Sequence, residues 1–192
     1  MNWIVFDYGD VLSRRTAALP KLAATLGVEA GRLEEHYWAL REPYDRGCGD
    51  LEYWQSVGKA LGVEVDEAKS EELTSIDVEG WSHLEPSSAE LLDALGEAGA
   101  ALALLSNAPS SFGRWARAQD WARHFRVTLF SGDLGCVKPD ERIYRILLDR
   151  LGAAPADCLF FDDRKSNVDA AVALGIRAHV WDGADAAKAA LG

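Results

Sequence analysis

Basic residues are scarce in this chain of 192 residues: 20 lysines and arginines stand against 31 aspartates and glutamates, a formal net charge of -11. That deficit argues against nucleic acid or an anionic membrane as a partner. It does not exclude a small anionic substrate, because screening beyond about 8 Å lets a few local cations govern one cleft. Cysteine is equally sparse. Cys48, Cys136 and Cys158 are odd in number and lack C-x-x-C spacing, so neither a disulfide framework nor a thiolate zinc site is suggested. His83, His124 and His179 show no metal-ligand spacing. No apolar stretch approaches the roughly 20 residues needed to cross a bilayer. No secretory leader pattern precedes the first apolar run, and a cytoplasmic location is expected.

What the chain does have is apolar content, 48% of its residues, enough for one good core and a modest second module. Trp3-Ile4-Val5-Phe6 and Leu159-Phe160-Phe161 are short, aromatic, apolar runs that read as buried strands. From Glu85 onward, strands and helices alternate. A helix over Ser87–Glu97 leads to a strand at Ala101–Leu105, and a helix near Ser111–Gln119 to a strand at Val127–Phe130 followed by a Gly-rich turn. Pro139 is placed as the first residue of a helix ending at Gly152. The Leu159–Phe161 strand, a helix over Lys165–Leu174, a strand at Arg177–Trp181 and a terminal helix at Ala184–Ala190 follow. This alternation predicts an α/β fold, a Rossmann-like, doubly wound parallel sheet.

Between these parts, Ser13–His83 reads as nearly all helix. Leu19, Leu22, Leu26, then Leu33, Tyr37, Leu40, then Leu51, Trp54, Val57, Leu61 form apolar stripes, with Asp50 as N-cap of the third helix and a fourth helix over Glu64–Ile76. Residues 1–12 and 84–192 are therefore assigned to the core, and 13–83 to an inserted helical cap over the strand tips. In the cap, His36, Tyr37, Trp38, Tyr44 and Trp54 are weighed as core packing, and Arg46, beside Gly47, as the residue that reaches the substrate. Trp81, Trp115 and Trp121 are assigned to core packing, and Arg14 and Arg164 to exposed positions near the site loops.

The chemistry gathers at the carboxyl ends of the predicted strands, where open parallel sheets bind ligands. Asp7, Ser106-Asn107, Lys138 and Asp162-Asp163 line up there in chain order. Three carboxylates in one crevice repel each other, and a hard divalent cation with oxygen ligands resolves the conflict.

With Phe6-Asp7-Tyr8-Gly9-Asp10-Val11-Leu12, Leu105-Ser106-Asn107-Ala108, Val137-Lys138-Pro139-Asp140 followed by Ile143-Tyr144, and Phe161-Asp162-Asp163 with Asn167, the chain resembles the haloacid dehalogenase superfamily, in particular its phosphatase-like members with a helical cap. The resemblance implies Asp7 as nucleophile, forming an aspartyl-phosphate. It implies Ser106 and the following backbone N–H groups as phosphoryl ligands, with Asn107 beside them. Lys138 would neutralise charge, and Mg²⁺ would be held by Asp7, the Gly9 carbonyl and Asp163. Asp162 would orient Lys138 or a metal-bound water, and Asn167 would brace the loop.

One position departs from the family pattern. Phosphatases of this kind carry an acid two residues after the nucleophile, and here that residue is Gly9. Asp10 is either a substitute or a turn residue bonded to its neighbours. The expected activity is Mg²⁺-dependent hydrolysis of a small phosphorylated metabolite, such as a sugar phosphate, by a monomer or homodimer. Two other readings stay open: a metal-free 2-haloacid dehalogenase, whose leaving halide needs no acid, and a binding or regulatory protein with weak turnover.

Overall fold

The computed structural model describes residues 2–191. Strand β1 (Trp3–Phe6) is followed by helices α1 (Leu19–Leu26), α2 (Ala30–Ala39), α3 (Arg41–Asp45), α4 (Asp50–Leu61) and α5 (Glu67–Gly80). Then come α6 (Pro86–Glu97), β2 (Ala101–Ser106), α7 (Ser110–Arg117), β3 (Phe125–Phe130), α8 (Ser131–Leu134), α9 (Glu141–Leu151), β4 (Cys158–Asp162), α10 (Lys165–Ala173), β5 (Arg177–Val180) and α11 (Ala184–Leu191). The strands form one sheet in the order β3-β2-β1-β4-β5, and every pairing is parallel.

Side chains alternate across a strand, so adjacent residues of β1 enter different layers. Phe6 joins Leu104, Phe161, Phe112 of α7 and Leu91 of α6 on one face. Val5 joins Leu105, Phe160, Ile143 and Leu147 of α9 on the other. A central strand covered on both faces must be apolar throughout, and the sequence of β1 meets that demand. Register then places the chemistry. Phe6 pairs with Leu104 and with Phe161, so the next residues, Asp7 and Asp162, leave the sheet side by side. The Asp7 N–H donates to the Phe161 carbonyl at 2.9 Å.

Helices α1–α5 pack around a separate apolar cluster that includes Leu22, Leu33, Tyr37, Trp54 and Val57. Tyr44 and Tyr53 stack within it, ring centroids 4.1 Å apart. The helical segment leaves and rejoins the rest of the chain through neighbouring backbones: Ser13 bridges Leu84, and the Arg14 N–H donates to the His83 carbonyl at 2.9 Å.

Several local expectations shift. Gly49, not Asp50, caps α4; the Asp50 carboxylate instead accepts the Tyr44 hydroxyl at 2.6 Å. Leu51 of the proposed apolar stripe is exposed, while Tyr53 fills the cluster. Helix α5 begins three residues later than expected, where the Asp66 side chain accepts the Lys69 N–H, and runs on to Gly80. Pro139 lies before α9 rather than in its first turn. The Asp140 N–H bonds back to the Val137 carbonyl, and this turn carries Lys138 into the crevice. The Gly-rich turn after β3 contains the one-turn helix α8, closed by left-handed Gly135.

Candidate active site

Lys138 is the centre of the crevice. Its ammonium has three donors and meets three oxygens: Asp162 Oδ2 at 2.6 Å, Asp7 Oδ1 at 2.8 Å and the Leu105 carbonyl at 2.9 Å. Burial opposes its charge, but Asp7 and Asp162 together outweigh that and hold its pKa above the ordinary lysine value. The loop bearing it is clamped by Asn107, whose side-chain oxygen accepts the Lys138 N–H at 2.8 Å and whose amide donates to the Lys138 carbonyl at 2.9 Å. Asn107 thus spends its side chain on placing Lys138.

The two aspartates flanking Lys138 differ. Asp162 is fully engaged, with Oδ1 accepting the Arg164 N–H at 2.9 Å and the Asn167 amide at 2.8 Å. Asn167 in turn offers its carbonyl to the Tyr144 hydroxyl. On Asp7, Oδ1 accepts the Tyr8 N–H at 2.7 Å as well as Lys138, while Oδ2 has no donor among the described residues. Burial, with Asp162 adding, pushes the Asp7 carboxyl up to about 7 against the pull of Lys138. A free oxygen on a buried carboxyl held in one orientation is the geometry an attacking nucleophile needs.

Asp163 faces the same space, and no described residue donates a hydrogen bond to it. Burial raises its pKa, with the charges of Asp162 and Asp10 adding. Oxygens of Asp7, Asp162 and Asp163 lie within 4.8 Å of one another. Since Asp162 is committed to Lys138, Arg164 and Asn167, the carboxylate oxygens left for a cation are those of Asp7 and Asp163; the Gly9 carbonyl accepts no bond among the described residues. Hard oxygen donors, only two of them carboxylates, suit an ion that keeps water or phosphate in its remaining positions.

These groups open into a cavity of about 630 Å³ between the strand tips and the helical segment. Ser106, at the end of β2, lines it with a hydroxyl that has no described protein partner. Asp10 sits on the rim, exposed and in the left-handed region with φ of 56°. Where a side chain at position 9 would start, the Trp81 ring lies over Gly9; an added Cβ would come 3.4 Å from Trp81 Cζ3. Arg46 also lines the cavity, but Asp140 at 2.7 Å and Glu42 at 2.9 Å hold its guanidinium. It therefore ties the helical segment to the Lys138 loop.

Of the residues weighed in the helical segment, Tyr37, Tyr44 and Trp54 are buried in its apolar cluster, whereas Trp38 lines the cavity. Arg164 lines it too, and Arg14 instead pairs with Glu85. Sequence reasoning missed Arg15, Arg41 and Asp45, which also line the cavity. Only the i,i+4 spacing of Arg41 and Asp45 offered a signal. The helical segment rests on the core here: the Ser131 hydroxyl donates to the Asp45 carbonyl at 2.5 Å. Gly47, with φ of 110°, passes so close to Gly132 that a Cβ would stand 2.7 Å from its carbonyl oxygen.

The family model described as haloacid dehalogenase-like hydrolase matches residues 1–175. Over 146 residues, 73% of this chain and 54% of the relative, the chain is 30% identical to protein CbbY of Cupriavidus necator. Over 133 residues, 68% of this chain and 60% of the relative, it is 29% identical to phosphatase MT3486 of Mycobacterium tuberculosis. The matched stretch thus spans little more than half the length of these curated relatives. A HAD family enzyme from Bacteroides thetaiotaomicron, solved with magnesium and inorganic phosphate, superposes with a TM-score of 0.74 at 19% identity, covering 94% of this chain and 93% of that one, which shows a shared fold.

Proposed function

The chain belongs to the haloacid dehalogenase-like hydrolases, and on that premise we propose that it is a Mg²⁺-dependent phosphatase of small phosphorylated metabolites. The observation that carries this reading is the unequal treatment of the carboxylates around Lys138: Asp162 is fully bonded, while Asp7 keeps one oxygen free beside Asp163.

In this mechanism Asp7 Oδ2 attacks phosphorus and the bond to the leaving oxygen breaks, giving an aspartyl-phosphate that water then hydrolyses. The Asp162 clamp keeps Lys138 aimed at Asp7, where its charge offsets what the phosphoryl group brings. Ser106 and the Asn107 N–H donate to phosphoryl oxygens; the Ala108 N–H is taken by the Ser131 hydroxyl at 2.9 Å. Asp7, Asp163 and the Gly9 carbonyl hold Mg²⁺, which when bound draws charge from the phosphoryl oxygens and keeps Asp7 ionised. Residues 13–83 act as a cap that excludes water from the cavity. The same Asp163 carboxylate would repel the carboxylate of a 2-haloacid, which weighs against dehalogenation.

The test is hydrolysis of p-nitrophenyl phosphate and a panel of phosphorylated metabolites, with and without Mg²⁺, by the native protein and Asp7→Asn. Metal-dependent release of phosphate that the variant lacks supports the reading. Activity that survives both EDTA and Asp7→Asn contradicts it, as does metal-free chloride release from a haloacid.

A further inference from the structure

The reaction proposed above leaves the departing oxygen without a proton source, because Gly9 has no side chain and the Trp81 ring lies against it. The other carboxyl groups around the cavity are either engaged or exposed to solvent. Asp7 and Asp163 face the cation, Glu42 and Asp140 hold Arg46, and Asp10 is exposed on the rim. Asp45 remains. It closes α3, lines the same cavity as Asp7, and is fixed over the core by the bond from Ser131 to its carbonyl, by the adjacent Arg46–Asp140 pair and by the Gly47 approach to Gly132. Its Oδ1 accepts Arg41 Nε at 3.0 Å, and its Oδ2 has no donor among the described residues.

We propose that Asp45 is the general acid and base of this phosphatase, protonating the departing oxygen and then deprotonating the water that hydrolyses the aspartyl-phosphate. The proposal rests on the phosphatase reading. In the first step the Asp7 Oδ2–P bond forms, the P–O bond to the leaving group breaks, and the proton of the Asp45 carboxyl passes to the leaving oxygen. In the second, a water proton returns to Asp45 as the water oxygen bonds to phosphorus and the Asp7–P bond breaks. No other reactant is needed.

The surroundings of Asp45 suit that task. Burial, with the charge of Asp77 of α5 adding, raises its pKa to about 6 against Arg41 of its own helix and Arg164 after β4; Tyr53 of α4 and Cys48 are its other titratable neighbours. A carboxyl near neutrality can both give and take a proton.

The experiment is a series of aryl phosphates of one shape, from p-nitrophenyl through phenyl to p-methoxyphenyl phosphate, assayed with Mg²⁺. A good leaving group departs without a proton and a poor one does not. Asp45→Asn is expected to lose about 10²-fold in kcat/KM on p-methoxyphenyl phosphate and no more than about 3-fold on p-nitrophenyl phosphate. Asp45→Glu keeps the native dependence. Asp77→Asn, which disturbs Arg41 from outside the cavity, changes all substrates alike. Equal losses across the series in Asp45→Asn, or no loss at all, overturn the proposal. If the native protein hydrolyses none of these esters, the phosphatase reading fails rather than the role of Asp45.

Discussion

Two buried ion clusters border the cavity, and they are built alike. In the core, Lys138 lies between Asp7 and Asp162; in the helical segment, Arg41 lies between Asp45 and Asp77. Each pairs one cation with two carboxylates, and in each the carboxylate away from the cavity is fully bonded. Asp162 has Arg164 and Asn167 besides Lys138, and Asp77 has the Tyr37 hydroxyl at 2.6 Å besides Arg41. The cavity-facing partner keeps one free oxygen, and burial raises its pKa, to about 7 for Asp7 and about 6 for Asp45. One cation cannot neutralise two desolvated carboxylates, so the less bonded one carries the strain. The clusters differ in what stands beside them: a third carboxylate, Asp163, lies beside the core cluster, whereas the charge of Arg164 acts on Asp45 from outside its cluster. On our proposals the same device thus yields a nucleophile from one cluster and a proton carrier from the other.

Breaking the core cluster has the largest expected effect. Asp7→Asn removes the attacking oxygen and should lower kcat by about 10⁴-fold or more, read as p-nitrophenol release with Mg²⁺. Lys138→Met strands Asp7 and Asp162 without a counter-charge, and kcat/KM should fall about 10³-fold in the same assay. Asn107→Ala leaves the ammonium in place but frees its loop; a loss of about 10-fold in kcat, with KM little changed, is expected.

Stability sharpens the comparison. Folded Asp7 holds a proton up to about pH 7, whereas the unfolded chain releases it near 4, so the metal-free protein loses stability as pH rises across that window. Asp7→Asn should therefore raise the metal-free Tm near pH 8 and change it little near pH 5, a gain of roughly 1–3 kcal/mol in thermal melts. Added Mg²⁺ should stabilise the native protein near pH 8 and not the variant. The smallest effect belongs to the rim. Arg46→Ala breaks pairs that are partly exposed, and should cost no more than about 1 kcal/mol in urea unfolding.

The core cluster was legible in the sequence because each member follows an apolar strand or sits in a short motif beside one, and parallel strands bring their tips together. Asp7, Ser106, Asp162 and Asp163 required nothing beyond strand order and register. Lys138 required the turn at Val137–Asp140, which the preference of proline for a first helical turn obscured. The ion cluster of the helical segment was not legible. Arg41 and Asp45 stand on a five-residue helix too short for a periodic signal, and Asp77 comes to them from a helix 36 residues away. Leu51 matched the apolar stripe and yet faces solvent, because Tyr53 and Trp54 already fill that part of the cluster.

The central claim is that Asp7 carries the phosphoryl group during turnover with its free oxygen beside a metal shared with Asp163. It is tested most directly by acid-quenching the protein within milliseconds of mixing with p-nitrophenyl phosphate and Mg²⁺, then mapping the modified peptide by mass spectrometry. The account predicts one phosphoryl group on Asp7, absent in EDTA and strongly reduced in Asp163→Asn. A phosphoryl group on another residue, or labelling of Asp7 that needs neither metal nor Asp163, would contradict it.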